Sequence, residues 1–187
     1  TFTGGALNDT LTGGAGDDIL EGGAGNDTLT GGTNTGVGDT VSYAHATTGV
    51  TVSLASAVAQ NTVGAGTDTL SGFENLTGSA FNDVLTGDGN ANVITGGAGN
   101  DVITGGQGDD TLEGGSGGEA LGGTVSYASA TIGVTVDLSN AGAQNTVGAG
   151  TDTLANFENV IGSGFNDVLT GDGNANVLTG GVGNDTL

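Results

Sequence analysis

The 187-residue chain contains no cysteine, proline, methionine, tryptophan, lysine or arginine. Without cysteine there is no disulfide framework. Without a single cationic side chain against 21 acidic ones, nothing neutralises phosphates, so nucleic acid and anionic membrane surfaces are excluded as direct partners. Aromatic residues make up only 4%, too few for a bulky globular core. No apolar run is long enough to span a membrane and no signal-peptide pattern is visible. What is abundant is glycine, 42 residues in all, together with a formal charge of −21. Glycine and charge at this level usually mean disorder. Strict periodicity argues otherwise here, because regularly spaced apolar residues can stack into a continuous narrow core.

The period is nine. Residues 13–21 and 22–30 both read Gly-Gly-x-Gly-x-Asp-x-U-x, where U is a large apolar residue. Glycine at positions one, two and four lets the backbone enter positive φ and bring its carbonyls together. Aspartate at position six adds a hard anionic oxygen at the end of that turn. Oxygen-only and anionic is the ligand chemistry of Ca²⁺. The remaining x-U-x alternates out, in and out, as a very short strand does. Six residues of turn and three of strand reverse the chain once, so two blocks make a coil and block n lies beside block n+2.

Along the chain, Phe2, Leu11, Leu20 and Leu29 occupy U positions at a spacing of nine. Residues 31–38 form a stretched loop ending at Asp39. Residues 40–43 and 50–54 read as longer alternating strands joined by a turn near Gly49, and 55–63 as a wide polar loop. Residues 64–70 return to the template, and 72–77 look like a shortened coil with Glu74 towards the metal side. From Gly78 the register continues through Leu85, Ile94, Ile103 and Leu112. Residues 40–103 then align without gaps on 124–187, an offset of 84, with roughly three quarters of positions identical. The organisation expected is one continuous array: 1–39 the end of a preceding unit, 40–123 a full unit, 124–187 a partial second copy. Both ends fall within the array, which suggests a segment of a longer, fibre-like protein.

These blocks resemble the RTX (repeats-in-toxin) calcium-binding nonapeptide family, in particular repeat units of large RTX adhesins and the C-terminal regions of serralysin-type proteins. The resemblance implies an all-β fold, a parallel β-roll or β-solenoid with rows of Ca²⁺ in its Gly/Asp-rich turns. It carries the ligand role to Asp9, Asp18, Asp27, Asp83, Asp101, Asp110, Asp167 and Asp185, and with irregular loops beside them to Asp39, Asp68 and Asp152. Carbonyl donors would be Gly14, Gly16, Gly23, Gly25, Gly97, Gly99, Gly106, Gly108, Gly181 and Gly183. Asn92 and Asn176 replace the position-six acid and imply weaker sites. Phe81 and Phe165 replace the fourth glycine, and Gly123 stands where the first unit has Asp39.

Several of these features also have a blander reading. Asp17-Asp18 and Asp109-Asp110 could imitate a carboxylate dyad, but a ligand plus an extra counter-charge is simpler. Thr at positions seven and nine could form an ice-binding ladder; strand propensity explains it as well, and Glu21, Glu113, Val84, Val93 and Val102 interrupt the array. His45 is matched by Ser129 in the second copy, so no catalytic role is expected. Tyr43 and Tyr127 are expected to cap the core where it widens. The function expected is a calcium-binding extracellular structural module, not an enzyme, exported in the bacterial type I manner and folding on Ca²⁺. Its partners would be calcium and neighbouring repeats, or copies of itself end to end. The alternative is an accessory domain of a secreted protease, lipase or alginate epimerase.

Overall fold

In a computed structural model, residues 1–115 and 122–187 are described. Every regular element in them is a strand. In chain order these are β1 (Phe2–Gly5), β2 (Thr10–Ala15), β3 (Ile19–Gly23), β4 (Thr28–Thr33), β5 (Thr40–Ser42), β6 (Thr51–Ser53) and β7 (Gln60–Asn61). There follow β8 (Thr67–Ser71), β9 (Asn75–Thr77), β10 (Val84–Thr86), β11 (Val93–Thr95), β12 (Val102–Thr104) and β13 (Thr111–Glu113). The second unit supplies β14 (Thr124–Ser126), β15 (Thr135–Asp137), β16 (Gln144–Asn145), β17 (Thr151–Ala155), β18 (Asn159–Ile161), β19 (Val168–Thr170) and β20 (Val177–Thr179). Among the described residues no helix is long and apolar enough to cross a membrane.

The strands form two opposed parallel faces. One runs β1-β3-β5-β9-β11-β13-β17, the other β2-β4-β8 and then β6-β10-β12-β14-β18-β20. Register follows the eighteen-residue coil: Leu11 pairs with Leu29, Leu85 with Ile103 and Ile94 with Leu112. The chain is thus an all-β parallel β-roll. Each x-U-x turns its U residue inward. Leu20, Leu29, Leu85, Ile94, Ile103 and Leu112 are fully buried and stack into the narrow core. Outward positions carry a mixture, with Ile19, Val84, Val93 and Val177 exposed among the threonines. No regular threonine surface results.

The insertions depart from the expected reading. Residues 40–43 and 50–54 contribute only three-residue strands, β5 and β6, and these lie on opposite faces without pairing. Their apolar alternation continues past the strands because Tyr43 and Val50 line the inside of the turn between them. The wide loop is also more ordered than expected. It contains β7, antiparallel to β8, and the Gln60 amide clasps the Ser53 backbone at 2.8 and 3.0 Å. The chain therefore moves ahead to β6, doubles back through β7 and fills the rung beside β4 with β8. In the second unit β15, β16 and β17 repeat this excursion on the other face. Successive copies swap faces: β5 lies on the first, its counterpart β14 on the second.

Candidate metal sites

The turns at the two edges of the roll bring the position-six residues into two rows. One holds Asp9, Asp27, Asp68, Asp83, Asp101, Glu158 and Asn176; the other holds Asp18, Asp39, Glu74, Asn92, Asp110, Asp152, Asp167 and Asp185. Hydrogen bonds run along each row. The backbone N–H of one position-six residue donates to Oδ1 of the next: Asp9 to Asp27 at 2.9 Å, Asp27 to Asp68 at 2.9 Å, Asp83 to Asp101 at 2.9 Å. In the other row Asp18 donates to Asp39 at 2.7 Å, Asn92 to Asp110 at 2.9 Å and Asp167 to Asp185 at 3.0 Å. Asp39 N–H donates to Glu74 Oε2 at 2.9 Å, and Gly123 N–H to Glu158 Oε2 at 2.8 Å. Both glutamates thus stand in the rows, where the longer side chain spans the gap left by a three-residue turn.

That ladder uses one carboxylate oxygen and leaves the other facing the inside of the turn. Asp27, Asp39, Asp101 and Asp110 are buried, and their Oδ2 atoms have no hydrogen-bond partner. A buried anionic oxygen without a donor is costly, and a bound cation is one of the few ways to satisfy it. Burial pushes the Asp101 carboxyl up to about 6 and the Asp110 carboxyl up to about 7. The glycines complete the setting. Gly14, Gly16, Gly23, Gly25, Gly97, Gly99, Gly106, Gly108, Gly181 and Gly183 all have positive φ, between 95° and 146°. A methyl group on Gly96 or Gly105 would overlap the Oδ2 of Asp101 or Asp110, and one on Gly106 the Asp88 carbonyl of the neighbouring coil. Among the described residues no three acidic or histidine side chains converge. One carboxylate per turn with carbonyls around it therefore suits a hard cation that accepts neutral oxygen, and the turns fit Ca²⁺.

Other position-six residues meet donors from the chain itself. Asp68 Oδ2 accepts from the Tyr43 hydroxyl at 3.0 Å, and Asp152 Oδ2 from Tyr127 at 2.9 Å, with Thr62 and Thr146 each 3.3 Å away. Burial, with the adjacent aspartate, holds both phenols protonated well above their ordinary range. Asn92 and Asn176 do not sit as neutral copies of an aspartate. Their amide nitrogens donate to the carbonyls of Glu74 at 2.8 Å and Glu158 at 2.9 Å. The short turn before each asparagine presents a carbonyl where other coils present an N–H, and an amide can read it.

Two features escaped the sequence reading. Position five is not free: Asn8 Oδ1 accepts from Asn26 N–H, Asn82 from Asn100 and Asn166 from Asn184, each at 2.9 Å. The recurrence of Asn or Asp before the position-six residue was the available signal. Asp17, expected as a spare counter-charge, instead accepts from Thr35 at 3.0 Å, Gly36 at 2.9 Å and Val37 at 3.0 Å. These N–H groups, Thr35 foremost, lower its carboxyl below the usual range. It clamps the loop at 31–39. His45, an exposed side chain, pairs with Glu21 at 2.8 Å away from both rows.

A parallel roll with buried, donor-less carboxylates in glycine turns along both edges defines a calcium-binding repeat domain. The chain belongs to the RTX calcium-binding nonapeptide-repeat family, whose model matches it in four places, residues 3–36, 68–103, 86–118 and 155–187, more than half its length. Comparison with curated proteins returned no match.

Proposed function

We propose that this chain is an extracellular structural module that folds on binding Ca²⁺ after export, within a larger adhesin, surface-layer or fibre-forming protein. The observation that carries the reading is the set of unpartnered, buried oxygens on Asp27, Asp39, Asp101 and Asp110. Bound Ca²⁺ would supply the positive charge that these oxygens and the surrounding carbonyls lack. The chain's own part is to hold the carboxylates in line through the N–H to Oδ1 ladder and to admit carbonyls through positive-φ glycines. Each regular x-U-x strand is short and offers the core one large apolar residue, while the ordering cost falls on the whole nonapeptide. With 21 acidic groups and no base to offset them, metal affinity becomes folding free energy. Extracellular calcium modules bind in the range of about 10⁻⁴–10⁻³ M, so a low-calcium cytosol would leave the chain unfolded and ready for threading through an export channel. No catalytic step is assigned to it. The close 84-residue duplication favours an array over the short roll that an accessory domain of a secreted enzyme needs. Circular dichroism tests the proposal: coil is expected in EDTA and β-structure in millimolar Ca²⁺, and a β-spectrum that EDTA leaves intact would overturn it.

A further inference from the structure

Turns with the same acid at position six close in two different ways, and the fourth residue separates them. Where it is Gly16, Gly25, Gly99, Gly108 or Gly183, that glycine and the one at position two both have positive φ. No hydrogen bond then joins the position-two N–H to the acid. Where the fourth residue is Leu7, Phe81 or Phe165, the position-two N–H turns inward and donates to the acid of its own turn. Gly5 donates to Asp9 Oδ2 at 2.7 Å, Ser79 to Asp83 Oδ2 at 2.6 Å and Ser163 to Asp167 Oδ2 at 2.7 Å. The serine hydroxyls add a second bond, 2.8 Å to Asp83 Oδ1 and 2.7 Å to Asp167 Oδ1. Val50 and Val134 N–H groups reach the same Oδ1 atoms at 2.7 and 2.8 Å. Gly5 shows that glycine at position two is not sufficient, because with Leu7 at position four it stays out of positive φ. A non-glycine side chain at the fourth position cannot readily adopt the left-handed backbone of the open turn.

We infer that the fourth residue of each nonapeptide gates calcium entry, so that Asp9, Asp83 and Asp167 are internal caps of closed turns and hold no ion. The inference rests on the calcium reading of the open turns. Its physical basis is competition for one set of lone pairs. Asp83 and Asp167 already accept from two backbone N–H groups and a hydroxyl, which satisfies the charged carboxylate without metal. An ion would have to displace those donors inside a buried turn, whereas in the turn of Asp101 it meets an oxygen with none. Calcium then occupies interrupted stretches of each row, separated by metal-free turns at 78–83 and 162–167.

The sequence offers a reciprocal test. Ser79→Gly with Phe81→Gly makes residues 78–83 identical to 96–101 one coil away in the same row, and Phe81 is half-exposed, so little core is lost. Gly97→Ser with Gly99→Phe makes the opposite exchange. Native mass spectrometry of the full chain at saturating Ca²⁺, with circular dichroism to confirm folding, should show one ion gained in the first variant and one lost in the second. An unchanged ion count in a folded Ser79→Gly/Phe81→Gly protein would overturn the inference. Should the glycine-to-phenylalanine variant fail to fold, the first variant decides alone. A wild-type chain that binds no ion would instead remove the calcium reading itself.

Discussion

Asp101 and Asp68 occupy the same row and are both buried, yet one has an oxygen without a donor and the other is held by a phenol. The difference lies outside the nonapeptide. Asp101 Oδ2 faces only its own glycine turn, while its Oδ1 takes the Asp83 N–H. Asp68 follows an excursion that brings Tyr43 back across 25 residues, and the second unit builds the same pair from Tyr127 and Asp152. Identical residue types in identical phase therefore have two fates, one left without a donor and one that the chain satisfies itself. On the proposed calcium reading, the excursions are metal-independent joints of the roll, and the coils with glycine at position four its metal-dependent stretches.

Acidification should act most strongly on this contrast. Burial raises the carboxyls of Asp101 to about 6 and Asp110 to about 7. Calcium needs them charged, so below about pH 7 affinity at the open turns should fall by on the order of tenfold per unit. The ion-free fold responds in the opposite sense. A raised carboxyl stabilises it fully below the unfolded pKa of 3.8, and that contribution is lost as the pH rises through about 6–7. Calcium titrations by circular dichroism at pH 7.5, 6 and 5 should show a rising midpoint together with more β-structure in EDTA. A midpoint independent of pH would mean that backbone carbonyls alone hold the ion.

Next in size, Asp101→Ala should move the calcium midpoint of folding several-fold, since it removes the only carboxylate of its turn. Asn92→Ala should lower thermal stability through the lost bond to Glu74 while leaving the midpoint nearly in place. Equal shifts in the midpoint would erase the distinction between the two kinds of turn. Tyr43→Phe probes the excursion. Removing the hydroxyl leaves Asp68 Oδ2 with Thr62 alone, at a cost of about 1–3 kcal/mol in calcium-saturated denaturation, with no change in the number of bound ions. A gain of one ion would make the phenol a direct substitute for a cation. The smallest effect is expected at Val63, which has a φ of 62° although β-branched, as does Val147 at 67°. Val63→Asn suits that backbone and should stabilise the chain by about 1 kcal/mol, read as a small rise in Tm.

The nonapeptide determined the roll. Its period placed Leu20, Ile94 and Leu112 inward, its three glycines dictated the tight turns, and its aspartate fell at the turn's end, all through interactions within nine residues or with the coil beside them. The ten glycines expected to supply carbonyls are all in positive φ for the same local reason. Even the gate at position four is legible once its consequence is known, because Leu7, Phe81 and Phe165 are visible departures from glycine. What only the tertiary structure decided is which acids are left without donors. That depends on groups distant in sequence: the Tyr43 hydroxyl on Asp68, the Val50 N–H on Asp83, the Glu74 carbonyl that Asn92 reads. It depends too on the chain's doubling back to set β8 between β4 and β7, a path that no periodic pattern encodes. A carboxylate's need for a cation is set by its neighbours in space, and those are known only when the coils are stacked.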